Sequence, residues 1–487
     1  MINIIGIAGE SGVGKSNIAE IVSLFFGVQE TTILSTDDLH KWERTSKMWN
    51  EITHLNPDAN NLELGDMHLA DLAQGKPIYR SVYNHKTGHF DPPTKIIPKA
   101  TVIIEGLHAF YTETSKDLLG LKIFVDTDET LRVHWKIIRD TEERGYTYNS
   151  ALDAINKRRV DSYKIRQAQM AIADVVIRLT TERPITHIGN RNEKIKLVTQ
   201  IHFNNEVNKE LFAFIETYIA EFNKFVYLSE TIGKDLNMCQ NGGGNISVKV
   251  QDYMVIKSSG FNLKDVYKLG GYSVVRPNIF ALSSAEIFDE LVIGSVVSEK
   301  YKRPSMETGF HSLLDKYVIH VHPIYLTTLL CLENSKELMK QLYSEYDYEY
   351  IPYSHPGYSL FEAIKTCDLA KKIFFLENHG IIISSNDPQE AQTLLADITT
   401  RAKNCLEKVI EHYGEFDLKF NDDIIESPEY LFPDATVFLN EESKKEIRAA
   451  HNYIGLIGHE VGTIRYLTAE QVHFLKNLES EKYRKAL

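Results

Sequence analysis

The run Gly9-Glu10-Ser11-Gly12-Val13-Gly14-Lys15-Ser16 constrains this chain more than any other stretch. It follows the apolar run Ile2 to Ala8, which reads as a buried strand. It precedes Asn17 to Phe26, where Ile18, Ile21, Val22 and Phe25 recur at helical spacing and Gly27 supplies a stop. Strand, glycine loop and helix in this order form the context of a phosphate-binding P-loop. Gly9, Gly12 and Gly14 let the backbone curl until several N–H groups converge on phosphate oxygens, and the helix N-terminus adds positive potential. Lys15 has the reach for β- and γ-phosphates, and Ser16 has the hydroxyl to ligate Mg²⁺.

A chain of 487 residues exceeds one ordinary core, so two or three domains are expected. The net charge of −13 argues against non-specific nucleic-acid binding. No apolar run approaches the roughly 20 residues of a membrane span. The N-terminus enters a strand directly, with no basic-then-apolar signal segment. Cys239, Cys331, Cys367 and Cys405 show no CxxC spacing and read as reduced thiols of a cytoplasmic protein.

In the first half, apolar runs at Thr32–Leu34, Thr101–Ile104, Leu121–Val125 and Ala173–Ile177 alternate with helical patterns. That alternation predicts a doubly wound, mostly parallel sheet with helices on both faces. Ligands of such sheets sit beyond the carboxyl ends of the strands. The second strand ends in Ser35-Thr36-Asp37-Asp38-Leu39-His40, where a carboxylate can accept the proton of an attacking hydroxyl. The same acids also suit a helix N-cap. The third strand ends in Glu105-Gly106-Leu107-His108, and an acid there can serve Mg²⁺. Lys136, Arg139, Asp140 and Arg144 follow. Arg139 and Arg144 can close over phosphates as charge develops, although a solvated helix laced with charge pairs has the same composition.

On these residues, positions 1 to about 180 resemble the phosphoribulokinase and uridine kinase family, most of all its photosynthetic phosphoribulokinases. The likeness runs through Asp37-Asp38-Leu39-His40 with Arg44, Leu55 to Asn61, Gly75 to Tyr79, Tyr83 to Gly88, Glu105 to His108, Arg139-Asp140 and Ala173-Asp174. It implies ATP-dependent phosphorylation of a primary hydroxyl. By that resemblance Asp37 is the base, while His40, Arg44, Tyr83 and His85 hold the substrate, with Arg44 on its existing phosphate. Ser16 and Glu105 serve Mg²⁺, and Lys136, Arg139, Asp140 and Arg144 form the phosphate-contacting side. Arg44 favours a sugar phosphate such as ribulose 5-phosphate over a nucleoside. The redox-regulated members carry cysteines in this region and this chain has none there, so thiol control is not expected.

The pattern weakens from Thr181 to about Glu206, with one more strand at Ile195 to Phe203. An amphipathic helix then starts near Asn208. The domain boundary is expected near 205. Beyond it, Gly242-Gly243-Gly244-Asn245 leads into an alternating strand and then Met254 to Gly260. The glycines suit a phosphate cradle or a tight turn. In Tyr317-Val318-Ile319-His320-Val321-His322-Pro323, two histidines two apart on a strand share one face and can meet one metal, or simply form a polar strand face. Glu307 in Pro304-Ser305-Met306-Glu307 and His379 in Asn378-His379-Gly380 complete a ligand set of three imidazoles and one carboxylate, which suits catalytic Zn²⁺. Asp387-Pro388-Gln389-Glu390 reads as a helix start with a capping acid, Pro at N1 and Glu at N3. The helix is expected to run toward Gly414.

Residues from about 208 to 487 resemble the class II aldolase and adducin family. The Gly-Gly-Gly-Asn form, Pro304 to Thr308 and the ending Glu481-Lys482-Tyr483-Arg484 resemble a branch often fused to a short-chain dehydrogenase. The resemblance implies Zn²⁺ on His320, His322 and His379, with Glu307 ligating or leaving the metal and moving a proton. Gly244, Asn245, Ser259, Gly260 and Ser305 match phosphate-binding positions. Adducin lacks the metal ligands, and the related 4-epimerases typically carry Asp in place of Glu307. The resemblance also implies a Tyr that protonates the leaving alkoxide.

Together these features predict an α/β kinase domain at 1–205 and an α/β aldolase-like domain with a mostly antiparallel sheet at 206–487. The latter includes a structural C-terminal subdomain from about 421. The expected protein is a cytoplasmic bifunctional enzyme that uses ATP, Mg²⁺ and Zn²⁺. It would phosphorylate a pentulose phosphate or related sugar, and cleave a ketose phosphate to dihydroxyacetone phosphate and an aldehyde. Its partners would be small molecules and its own copies, as a tetramer through the aldolase domain. The alternatives are a uridine kinase with a non-catalytic, oligomerising aldolase-like domain, or a kinase fused to a sugar-phosphate 4-epimerase.

Overall fold

In a computed structural model that describes residues 2–84, 87–142, 144–190, 193, 195–421 and 429–486, the chain divides into two compact units. These are Met1–Ile219 and Ala220–Leu487.

The first unit is built on six strands: β1 (Asn3–Ala8), β2 (Thr31–Ser35), β3 (Thr101–Gly106), β4 (Leu121–Thr127), β5 (Val175–Thr181) and β6 (Leu197–Phe203). Their order is β6-β5-β4-β1-β3-β2. β1 to β5 run parallel, and β6 closes the edge antiparallel to β5. The parallel strands are buried on both faces: Ile5, Ile7, Val102, Ile103, Ile123, Val125, Val175 and Ile177 are fully excluded from solvent. Burying each of these side chains contributes roughly 1.5–3 kcal/mol, and this is why the sequence shows unbroken apolar runs there. The associated helices are α1 (Lys15–Phe26), α2 (Leu62–Ala73), α3 (Glu113–Leu118), α4 (Glu129–Glu142) and α5 (Tyr148–Ile172). α1 begins at Gly14 (φ 90°) and ends at Gly27 (φ 86°), both left-handed positions that suit glycine. The strand order reverses around β1, between β3 and β4. This places the loop 9–15 at the switch point where such sheets bind ligands.

The division between units falls within α6 (Lys209–Gly233). The Asn208 side chain accepts from Glu210 N and starts this helix.

The second unit holds a seven-stranded, mostly antiparallel sheet. Its strands are β7 (Asn245–Val250), β8 (Tyr253–Lys257), β9 (Tyr272–Val275), β10 (Tyr317–Val321), β11 (Tyr348–Ile351), β12 (Ile373–Leu376) and β13 (Gly380–Ser385). The order is β9-β8-β7-β10-β13-β12-β11, and the β11–β12 pair alone is parallel. Central β10 faces Asn245 of β7 and Ile382 of β13 across His320. The helices that bear on the site are α7 (Thr308–Leu313), α8 (Ile324–Leu330), α9 (Pro388–Cys405), α10 (Pro433–Phe438), α11 (Lys445–Val461) and α12 (Glu479–Ala486).

Two local expectations are corrected. α9 starts as anticipated, with Asp387 accepting from Gln389 N at 2.9 Å, but it stops at Cys405 and a second helix covers Glu407–Tyr413. Buried Leu406 bonds back to Lys403 O in a tightened turn, so the break comes from burying a leucine and not from a glycine or proline. Glu390 does not close a capping box, because its carboxylate accepts from Lys372 and Ser385.

Candidate functional sites

In the first unit, Gly9, Gly12 and Gly14 carry φ of 156°, 91° and 90°, which curls the loop back over the N-terminus of α1. Lys15 Nζ donates to Glu10 O at 2.9 Å, and Ser16 Oγ donates to Glu105 Oε1 at 3.3 Å. Burial holds the Lys15 ammonium below the ordinary lysine value, against the pull of Glu105 and Asp37. Burial likewise raises the Glu105 carboxyl, against the pull of Lys15. The loop, its lysine and the two candidate Mg²⁺ groups therefore form one electrostatic unit.

The two adjacent acids at the end of β2 take different parts. Asp38 accepts from Tyr83 N at 2.9 Å and faces the buried Arg80, so it anchors the short Tyr83–Asn84 strand. Asp37 lies where its charge acts on Lys15, Glu105, His40, His54 and His108. No α-helix follows it. The acids sit in a 3₁₀ turn, Thr36–Leu39, capped by Ser35.

On α4 the charge-pair and phosphate-contact readings coexist. Lys136 and Asp140 form a buried pair at 2.9 Å, and Arg139 and Arg144 lie 3.0 and 3.7 Å from the same carboxylate. Removing one partner of so buried a pair costs about 3–5 kcal/mol. Arg139 Nη2 and Lys136 Nζ also reach Ser11 Oγ of the loop, at 3.2 and 3.5 Å. Burial and Arg139 together bring the Lys136 ammonium down to about 8. Asp140 thus gathers three cations, two of which reach the glycine loop.

The expected substrate residues lie in two settings. His40 and Tyr83 are in ring contact at 5.1 Å, while Arg44 is exposed and its stem lies over Gly88. His85 falls outside the described residues. Sequence reasoning missed Trp49 and His54, which pack edge-on against His40 at 5.8 and 5.7 Å, and Trp42, which packs against Trp49 at 5.2 Å. The aromatic density of residues 40–54 was the available signal.

In the second unit, β10 presents His320 and the turn after it presents His322, while His379 precedes β13. The ring nitrogens of the three buried imidazoles lie within 4.8 Å of one another. Glu307 Oε2 is 3.4 Å from His320 Nε2, and Oε1 is 3.7 Å from His379 Nε2. His320 Nδ1 donates to Ile381 O at 3.0 Å, and His322 Nδ1 lies 3.3 Å from Asp434 Oδ2. Carbonyl and carboxylate oxygens only accept, so each ring carries its proton on Nδ1 and a bare lone pair on Nε2. Those two lone pairs face each other at 3.1 Å. Such an arrangement needs positive charge between them. Glu307 Oε1 and His379 Nδ1 are buried without a hydrogen-bond partner among the described residues. Burial pushes His320 down to about 4 and His379 well below the usual histidine range, so these two rings are neutral at pH 7. Three imidazoles with one displaceable carboxylate fit a divalent cation of the Zn²⁺ type.

The expected phosphate-binding residues surround this centre. The segment at Ser258 bridges to Pro304, with Ser259 N bonding Arg303 O and Ser305 N bonding Lys257 O. Gly242 lies beside Gly260. Gly244 has φ 67° and backs onto His320 O. Asn245 is turned inward: its amide donates to Glu307 Oε2 at 2.7 Å and Ser305 Oγ at 3.1 Å, and its oxygen meets His311 Nε2. It therefore aims the carboxylate. Three further groups were missed. Lys257 Nζ donates to Gly242 O and Phe261 O, tying the two loops together, and burial brings it down to about 7. Asp434 and Arg484 come from the C-terminal region expected to be structural only, yet Asp434 touches His322. The run Glu481 to Arg484 was visible in the sequence, but its destination was not.

Residues 4–186 match the model of the phosphoribulokinase/uridine kinase family, and residues 223–406 match that of the class II aldolase and adducin N-terminal domain. The N-terminal half of the chain belongs to the first family and the C-terminal half matches the second. The chain is 37% identical over 195 residues to the phosphoribulokinase of Synechocystis sp., covering 40% of this chain and 59% of that protein. It is 30% identical over 182 residues to the uridine kinase of Borrelia turicatae, covering 36% of this chain and 86% of that one. The chain spans about half the length of the phosphoribulokinases it matches. A solved structure, the N-terminal class II aldolase domain of a conserved protein from Thermoplasma acidophilum, is 25% identical with a TM-score of 0.34. It covers 38% of this chain and 92% of that one. The chain thus joins a kinase-family domain to an aldolase-family domain with a three-histidine cluster. No helix among the described residues is long and apolar enough to cross a membrane.

Proposed function

We propose that the protein is bifunctional, with a kinase domain at 1–205 and an aldolase domain at 206–487. The first transfers the γ-phosphoryl group of ATP to a hydroxyl of a pentulose phosphate or related sugar. The second cleaves a ketose phosphate to dihydroxyacetone phosphate and an aldehyde.

In the kinase, Asp37 accepts the proton of the attacking hydroxyl, a contribution typically of about 10²–10⁴-fold. Lys15, Lys136 and Arg139 balance charge on the transferred group, and Asp140 holds the last two in place. Ser16 and Glu105 would hold Mg²⁺. His40, Arg44, Tyr83 and His85 would hold the sugar, with Arg144 on the phosphate side.

In the aldolase, His320, His322, His379 and Glu307 would hold Zn²⁺, which when bound supplies Lewis acidity at a carbonyl oxygen. Glu307 moves the proton, and Asn245 fixes the direction of its carboxylate. Gly244, Ser259, Gly260 and Ser305 receive the substrate phosphate. The observation that carries this proposal is the pair of facing imidazole lone pairs with Glu307 beside them, a geometry of little use to a domain that only oligomerises. The two reactions suit one another chemically, because a kinase acting on a pentulose phosphate supplies a C1 phosphate of the kind the aldolase needs.

The test is a screen of pentuloses, their phosphates and nucleosides with ATP, reading ADP and triose phosphate together. ADP release with a sugar phosphate, and triose phosphate release that a chelator abolishes, are expected. ADP release with uridine or cytidine alone would favour uridine kinase, to which the Borrelia turicatae match also leads. A C4 epimer in place of triose phosphate would sink the aldolase assignment.

A further inference from the structure

Asp434 opens α10 behind Pro433 and is buried at 4% exposure. One carboxylate oxygen faces His322 Nδ1 at 3.3 Å, and the other accepts from Arg484 Nη2 at 2.8 Å. Arg484 Nη1 in turn donates to both oxygens of Glu481 at 2.9 Å, and its guanidinium lies over the Phe438 ring at 5.0 Å. Glu481 is itself 1% exposed. The line from His322 to Glu481 is therefore a buried chain of donors and acceptors, not a surface ion pair. The backbone is shaped around it. A Cβ on Gly243 would stand 2.7 Å from Asp434 Oδ2 and 3.1 Å from His322 Nδ1, so only glycine lets the loop pass.

An unpaired buried carboxylate would be costly. Arg484 has donors only, so Asp434 accepts from it, and the second carboxylate oxygen beside His322 Nδ1 is placed to accept as well, which turns the His322 Nε2 lone pair toward His320.

We infer that the C-terminal helix completes the metal centre: Arg484 orients Asp434, and Asp434 fixes the tautomer and ring direction of His322. Both are positioning residues for the cation. This rests on the three imidazoles being a metal site, and the experiment separates the two ideas.

The full-length protein, stripped with a chelator, is titrated with Co²⁺. Visible absorption reports the ligand field, and melting is followed in parallel. The wild type binds Co²⁺ and His320→Ala does not. Asp434→Asn and Arg484→Met weaken Co²⁺ binding by about 10–100-fold and shift its absorption bands. Arg484→Lys recovers part of the affinity. If Arg484→Met does not fold, the near-isosteric Asp434→Asn decides. Wild-type affinity and spectrum in Asp434→Asn and Arg484→Met, with or without a lowered melting temperature, overturn the inference and leave the metal site standing. Absence of Co²⁺ binding by the wild type overturns both.

Discussion

The two candidate sites handle buried charge in opposite ways. The loop site of the first unit is crowded with ionisable groups: Lys15, Lys136, Arg139 and Arg144 among Asp37, Glu105 and Asp140. The histidine site of the second unit is built from three buried imidazole rings with one carboxylate against them. Converging cations await an anion, and facing lone pairs await a cation. The scaffolds follow the same logic. The parallel sheet offers a switch point where backbone N–H groups and a helix N-terminus point outward at one place. The antiparallel sheet offers a central strand that carries His320, with Asn245 in register beside it on β7, while His322 follows that strand and His379 leads into neighbouring β13.

The largest expected effect that tests this contrast is confined to one unit. His320→Ala removes tight metal binding and triose phosphate release and leaves ATP-dependent phosphorylation unchanged. Metal content and ADP formation measured on one preparation check this, and loss of both activities would break the comparison. Asp37→Asn is the converse. It lowers ADP formation by about 10²–10⁴-fold, with substrate KM little altered and bound metal unchanged. A fall in KM-dependent binding alone would move Asp37 from base to substrate contact.

Acid sharpens the comparison further. Burial pushes His108 of the first unit and His451 of the second down to about 4. Between pH 4 and the ordinary value near 6.5, the unfolded chain binds these protons and the folded chain does not. Stability therefore rises with pH across that window, is full above it, and is lost on acidification toward pH 4. Denaturant melts of the chelated protein at pH 7.5, 6 and 5 should show both units losing stability, and His108→Asn should reduce the slope of the first alone. The smallest effect is at a helix start. Asp387→Ala removes the α9 cap and destabilises the second unit by about 0.5–2 kcal/mol, with neither activity changed.

Much of this architecture was legible locally. The glycine loop with its flanking strand and helix and the apolar runs of β3 to β5 are patterns within a few residues, and each appears where its periodicity placed it; of the two histidines expected on one strand, His320 lies on β10 and His322 just past its end. The direction of β6 was not legible, because an edge strand reads alike either way. The partition of Asp37 from Asp38 was also hidden, since it depends on Arg80 some forty residues on. Asp434 and Arg484 stand more than a hundred residues from His322. Pairs so distant leave no period, and only the packing of α10 and α12 reveals them. The break at Leu406 was invisible for a simpler reason: a leucine marks a helix interior as readily as its end.

The tryptophans give the first site an optical signature of its own. Trp42, Trp49 and Trp135 are the only indoles in the chain, and all belong to the first unit. Two of them line the ring cluster around His40. Intrinsic tryptophan emission is therefore silent about the histidine centre, and events at the ring cluster or unfolding of that half can be followed in the intact protein with no label added.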